Sequence, residues 1–163
     1  MPTVQRSAGL LLHRRAADGT REVLLGHMGG PFWARKDDGA WSIPKGGGEP
    51  GEDDEATARR EFQEELGLPV PDGELVALGE VRQSSGKRVT AFALEADLDV
   101  STITPGTFEM EWPPRSGRLQ AFPEMDRAAW MDLDVARRRI VKGQAPLLDR
   151  LLEQTAATPG AGG

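Results

Sequence analysis

The chain contains no cysteine, which excludes disulfides, thiolate metal sites and a cysteine nucleophile. That suits a reducing compartment, so a cytoplasmic location is the expectation. No apolar run approaches the roughly 20 residues that a membrane helix needs; residues 8–12 typify the longest. Residues 1–7 lack the basic-then-apolar pattern of a signal peptide. Nor is there an excess of positive charge: 20 Lys plus Arg stand against 26 Asp plus Glu, a net charge of −6. A stable nucleic-acid complex is therefore not expected, although local cations can still serve a small anionic substrate. No internal repeat is visible.

Turn-forming residues are abundant instead. The 20 Gly and 12 Pro make up about a fifth of the 163 residues, which argues for many loops. The length fits one domain with a core of its own. We place that domain at residues 1–154, with 155–163 as a small, polar, frayed tail.

Residues 4–13 and 22–27 read as strands joined by a turn at 17–20. Residues 28–39 read as a surface loop, 41–43 as a short extended piece stopped by Pro44, and 45–51 (KGGGEPG) as irregular. Asp53 or Asp54 caps a helix running to Leu66, ended by Gly67 in the left-handed position and by Pro69. Ala58, Phe62 and Leu66 recur every four residues as its buried stripe. Residues 75–83 and 88–96 read as strands around a Ser-Ser-Gly-Lys turn, 108–112 as a short strand, and 113–118 as a loop. A last strand falls at 128–131, and helices fall at 133–142 and 146–154, separated by Gly143. This order predicts an α/β fold with a mixed sheet covered by helices.

The central helix carries the chemistry. Glu61, Glu64 and Glu65 sit at i, i+3 and i+4, so they share one side, away from Phe62 and Leu66. Like charges at that spacing repel by about 0.2–0.5 kcal/mol per pair. Hard oxygen ligands suit Mg²⁺ or Mn²⁺, and a dication reverses the sign of that repulsion. Taken alone, the three glutamates favour a solvated acidic face, with Arg60 paired to Glu64, because charged helix faces are common.

They are not alone. Gly46, Glu52, Arg60, Glu61, Phe62, Glu64, Glu65, Gly67 and Leu68 fall in the pattern G-x5-E-x7-R-E-U-x-E-E-x-G-U, where U is bulky and apolar. Chance gives all nine at about one in a billion start positions. The segment resembles the signature of the Nudix hydrolase family. The resemblance implies an α/β/α sandwich with a mixed sheet. It also implies metal-dependent hydrolysis of a nucleoside diphosphate linked to another moiety, with Mg²⁺ or Mn²⁺ as cofactor. Carried over by position, Glu61 and Glu65 are metal ligands, Glu64 is a ligand or a base, and the backbone beside Gly46 completes the metal shell. Arg60 and Glu52 hold loop and helix in register through an ion pair. Many family members add a glutamate from a loop before a late strand. Glu124 fits that place, with Glu109 and Glu111 as competitors and a surface role for all three as the plain alternative.

Several groups are candidates for holding substrate. Lys45 abuts the glycine run and could bind phosphate as a point charge. Trp33, in a loop with Arg35 and Lys36, is a candidate stacking platform; Trp41 is read as core, and Trp112 stays open. Lys87, Arg88, Arg115 and Arg118 could meet a second phosphate. His13 and His27 have no metal-ligand spacing and read as strand histidines, and Arg137, Arg138 and Arg139 as solvated surface. The Pro-Lys-Gly lead into the signature resembles the subgroup that hydrolyses dinucleoside polyphosphates and diphosphoinositol polyphosphates. A nucleoside-triphosphate or ADP-ribose pyrophosphatase is the alternative, as is a non-catalytic nucleotide-binding module. The expected partner is a small nucleotide or polyphosphate, without a membrane, on a monomer or homodimer.

Overall fold

The computed structural model describes residues 6–83 and 86–157. The described chain runs β1 (Arg6–Arg15), β2 (Arg21–Met28), β3 (Trp41–Ser42), β4 (Lys45–Gly47), α1 (Asp54–Leu66), β5 (Val76–Arg82), β6 (Arg88–Glu95), β7 (Thr107–Glu111), β8 (Leu119–Pro123), β9 (Met125–Asp132), α2 (Leu133–Arg139) and α3 (Ala145–Ala157).

Alternation along β1 and β2 sets the layers. Leu10, Leu12 and Leu24 pack with Ala58, Phe62 and Leu66 of α1. Leu11, Val23 and Leu25 point the other way and pack with Ala136 of α2 and Leu147, Leu148 and Leu151 of α3. Successive strand residues face opposite sides, and here both sides are apolar. The result is an α/β/α sandwich around a seven-stranded mixed sheet.

The sheet opens like a fork at its centre. One edge of β1 runs parallel to β6, and β6 runs antiparallel to β5. β1 meets β2 only at residues 13–15 and meets β4 at residues 7–9. β2 pairs with β9 at residues 22–28, and with β3 at Gly26 and His27. Segment 41–47 therefore fills the gap where β1 and β2 part. This corrects the expectation that residues 45–51 are irregular, since the first three form a strand. A side chain on Gly9 would collide with the Pro44 carbonyl and Lys45, so glycine permits the close pairing.

Other boundaries also differ from the sequence expectation. Residues 119–123 form β8, which closes a separate hairpin with β7; they are largely exposed, so no apolar alternation marks them. The last strand of the main sheet begins at Met125 rather than 128. Helix α2 stops at Arg139, short of 142, because Ile140 is extended and bridges Trp41 while the Val141 amide donates to the Trp41 carbonyl at 2.7 Å. These two β-branched residues favour extended backbone. Helix α3 runs to Ala157, so residues 155–157 are helical rather than frayed tail. Residues 4, 5, 84, 85 and 158–163 of the expected strand, turn and tail lie outside the described residues.

Candidate active site

Helix α1 is fixed at both ends. The Asp53 carboxylate accepts from the Ala56 amide at 2.7 Å, and Gly67, at φ 67°, closes the last turn by donating to the Gln63 carbonyl. Burial of Phe62 and Leu66 against β1 then sets the rotation of the helix, and Glu61, Glu64 and Glu65 come to face β4 and Glu124.

Arg60 ties this helix to the loop ahead of it. Its Nε and Nη2 donate to both oxygens of Glu52 at 2.9 Å, and Nη2 also donates to the Gly47 carbonyl at 2.8 Å. Its Nη1 donates to Glu61 at 2.9 Å and to Glu64 at 3.1 Å. Thr57 adds a hydrogen bond to Glu52 at 2.7 Å. The hydrogen bonds from Arg60, then from Thr57, hold the Glu52 carboxyl down at about 2.

Lys45, Gly46, Glu61, Glu64, Glu65 and Glu124 share a cavity of about 450 Å³, with Gly106 and Thr107 on its far wall. Backbone bonds bring Glu124 there. Its amide donates to the Gly106 carbonyl at 2.7 Å, and the Gly106 amide donates to the Glu64 carbonyl at 2.9 Å. The Glu124 carbonyl accepts from the Gly29 amide at 3.0 Å.

Charge in this cavity is only partly compensated, by Lys45 and Arg60. Burial, then the charges of Glu124 and Glu61, push the Glu65 carboxyl up to about 8, against the pull of Lys45. Burial also raises Glu61, helped by Glu64 and Glu124 and opposed by Arg60. The Lys45 ammonium is lowered by burial, against the Glu65 carboxylate, and the nearby Lys87 charge lowers it further.

The donor set suits a hard divalent cation in kind. Four carboxylates face one cavity, and the Gly46 backbone lies bare against Glu61, whose carboxylate fills the space a Cβ on Gly46 would take. The side chains are not yet gathered as ligands. Among the described residues no group of three or more His, Asp or Glu stands close enough to hold an ion. Two of the four carboxylates are turned to the Arg60 guanidinium instead.

A second cavity, of about 370 Å³, opens beside the first and shares Lys45, Glu65 and Glu124 with it. Trp33, Phe108 and Met125 line it, together with Met28, Gly29 and Ser42. Trp33 therefore lies beside the carboxylates, but Arg35 is exposed and lines neither cavity. Arg88 stands apart too, at the start of the interior strand β6, 3.8 Å from Glu80, and lines neither cavity. Glu109 and Glu111 occupy the exposed face of β7 and line neither cavity, as do Arg115 and Arg118 in the turn beyond. Trp41 is core, and Trp112 packs edge-on against Phe32 at 5.6 Å. Sequence reasoning missed Gly106 and Ser42; a lone glycine in a loop and a serine in a short strand carry no pattern to find.

With this geometry in view, the comparisons with known proteins agree. A NUDIX domain model matches residues 4–151, and the chain belongs to the Nudix family. An RNA pyrophosphohydrolase of Pseudoalteromonas translucida (strain TAC 125) is 43% identical over 56 residues, 34% of this chain. The match spans a third of that curated relative's length, 33%. A C. elegans Ap4A hydrolase, solved as a binary complex, superposes with a TM-score of 0.64 at 23% identity, covering 94% of this chain and 99% of that one. RenU, a Nudix hydrolase from M. smegmatis, gives 0.61 at 26% identity over 98% of this chain and 90% of its own.

Proposed function

We propose that this protein hydrolyses a phosphoanhydride bond in a nucleoside diphosphate linked to another moiety, with Mg²⁺ or Mn²⁺ as cofactor and a dinucleoside polyphosphate as the favoured substrate. The observation that carries this reading is the shared cavity in which Glu61, Glu64, Glu65 and Glu124 converge beside Lys45. Anionic phosphate would not enter that field unaided, so the site needs positive charge from outside.

Glu61 and Glu65 would hold the cation, with Glu64 and the backbone beside Gly46 completing its shell. Bound there, the cation neutralises phosphate charge and acidifies a water. The protein's own groups do the rest. Lys45 pairs with a phosphate oxygen as a point charge. Arg60 and Glu52 keep the loop and α1 in register, so the carboxylates keep their spacing. Glu124 enters from a different segment, on the wall common to both cavities, and is the candidate base for the attacking water. Trp33 and Phe108 offer apolar aromatic surface to a base attached to the phosphates.

The C. elegans neighbour's name supports a dinucleoside polyphosphate, and the RNA pyrophosphohydrolase supports a 5′-phosphorylated RNA end as the competing substrate. A panel of diadenosine tetraphosphate, triphosphorylated oligonucleotide, nucleoside triphosphates and ADP-ribose, run with Mg²⁺ and with Mn²⁺, tests the proposal. Resolving the products in ¹⁸O-water also reports which phosphorus is attacked. Fastest turnover on the dinucleoside supports the reading, and no anhydride cleavage on any member with either metal overturns it.

A further inference from the structure

His27 is buried, at 0% exposure, yet both its ring nitrogens are engaged. Nδ1 lies 2.9 and 3.1 Å from the two oxygens of Asp126, and Nε2 lies 2.7 Å from the Lys36 carbonyl. A carbonyl and an ionised carboxylate only accept. A neutral imidazole donates from one nitrogen and would set its other lone pair against an oxygen. With Asp126 ionised, the imidazolium is the form that satisfies both contacts, and Asp126 is placed to supply its counter-charge. The other charged groups around it are Arg127 on β9, Asp37 in the 28–39 loop and Arg139 on α2. Arg127 lies 3.5 Å from Asp126, and both arginines flank the Trp41 ring that meets His27 edge-on at 5.3 Å.

Asp126 reaches the ring because β9 bulges there. The register pairs His27 with Arg127 and Met28 with Met125, so Asp126 is the extra residue. Such bulges re-aim side chains. The two partners of His27 belong to two walls of the candidate site. Lys36 donates its amide to the carbonyl of Trp33 at 3.0 Å, and Asp126 is two residues beyond Glu124.

We propose that His27, as a buried imidazolium, is a positioning residue that locks the Trp33 loop to the bulged start of β9, and so sets Trp33 and Glu124 at a fixed separation across the nucleotide cavity. Only the kinetic part of the test rests on the nucleotide reading above. The ring and loop measurements are made on the full chain without substrate.

In nitrogen-resolved NMR at neutral pH, the His27 ring gives the two-proton pattern. In H27Q both N–H donors leave a single nitrogen and cannot span partners that the ring meets from two separate nitrogens. Amide exchange at Gly29 and Lys36 then accelerates about tenfold, as expected for loss of one charged hydrogen bond, while the α1 amides keep their protection. KM for diadenosine tetraphosphate rises about tenfold as Trp33 is released, and kcat falls with it because Glu124, the candidate base, loses its fixed place. Should H27Q not fold, D126N removes the counter-charge and is expected to give the same exchange pattern and a one-proton ring. A single neutral tautomer in the native protein overturns the proposal, as does unchanged exchange in the variant that folds. An inactive panel with the two-proton ring intact overturns the function reading and leaves this one standing.

Discussion

The carboxylate of Glu61 occupies the space that a side chain on Gly46 would need. Strand β4 and helix α1 can approach this closely only because position 46 has no Cβ, and Glu61 is thereby held at the cavity wall. G46A must push Glu61 away or lift β4 from β1. A displacement of about 1 Å at such a group is enough for a hundredfold loss, so kcat/KM should fall about that much. The core beneath is untouched, so the far-UV spectrum should stay native. Near-native turnover in G46A would show that Glu61 needs no fixed place.

Glu65 gives the metal-free protein a distinctive pH response. Its carboxyl is raised to about 8 in the fold from an ordinary value of 4.5. Between those values the native state binds the extra proton, so this group's contribution to stability is complete below about 4.5 and is lost as pH rises through about 8. A bound dication reverses the preference by favouring the carboxylate. Mg²⁺ should therefore raise Tm most at the alkaline end, with a proton released on binding near pH 7, as measured by calorimetry in buffers of different ionisation heat. E65Q should flatten the metal-free pH profile and abolish the Mg²⁺-dependent rise in Tm. A rise equal to that of the native protein would remove Glu65 from the metal site.

The Arg60 guanidinium spans three partners that one ammonium cannot reach together: both oxygens of Glu52, the Gly47 carbonyl, and the Glu61–Glu64 pair. R60K keeps the charge and loses the fork, so kcat/KM should drop about tenfold or more. The pH signature is the sharper check. Glu52, held at about 2, contributes stability that is complete above about 4.5 and is lost as pH falls through about 2. The Tm gap between native protein and R60K should be full at pH 6 and should close toward pH 2. A gap that does not change with pH would mean the Arg60–Glu52 pair is not its source.

Much of this arrangement was legible in the sequence, and the gaps have physical reasons. The spacing from Gly46 to Leu68 specifies helix, cap and turn together. Each is a local property, and α1 starts at Asp54 after the Asp53 cap and ends at Gly67 as the residues require. Short continuous apolar runs likewise announce β1 and β2. Segment 45–47 misleads because glycine favours irregular backbone until a neighbouring strand pairs with it, and that partner lies almost 40 residues earlier. The end of α2 depends on Trp41, about 100 residues away. Lys45, Trp33 and Glu124 could be named as candidates, but their shared cavity depends on Gly106 and Gly29, whose amides make ordinary backbone bonds that no residue pattern encodes.

The choice among the three late glutamates can be made by one comparison. Glu109 and Glu111 alternate with half-buried Phe108 and Met110, so the strand that carries them turns both outward. Glu124 belongs to no strand and is held through its own backbone between Gly106 and Gly29. That suspension places its carboxylate on the wall common to both cavities, and its charge adds to the burial that raises Glu65 and Glu61. A general base acts after binding, so E124Q should lower kcat about a hundredfold and leave KM within about twofold. E109Q and E111Q should match the native protein. Glu64 is the remaining competitor for the base, but its carboxylate is 57% exposed and is engaged by Arg60. If E64Q loses the kcat step while E124Q keeps it, the base is on the helix after all. The acid limb of the kcat profile should disappear in whichever variant has lost it.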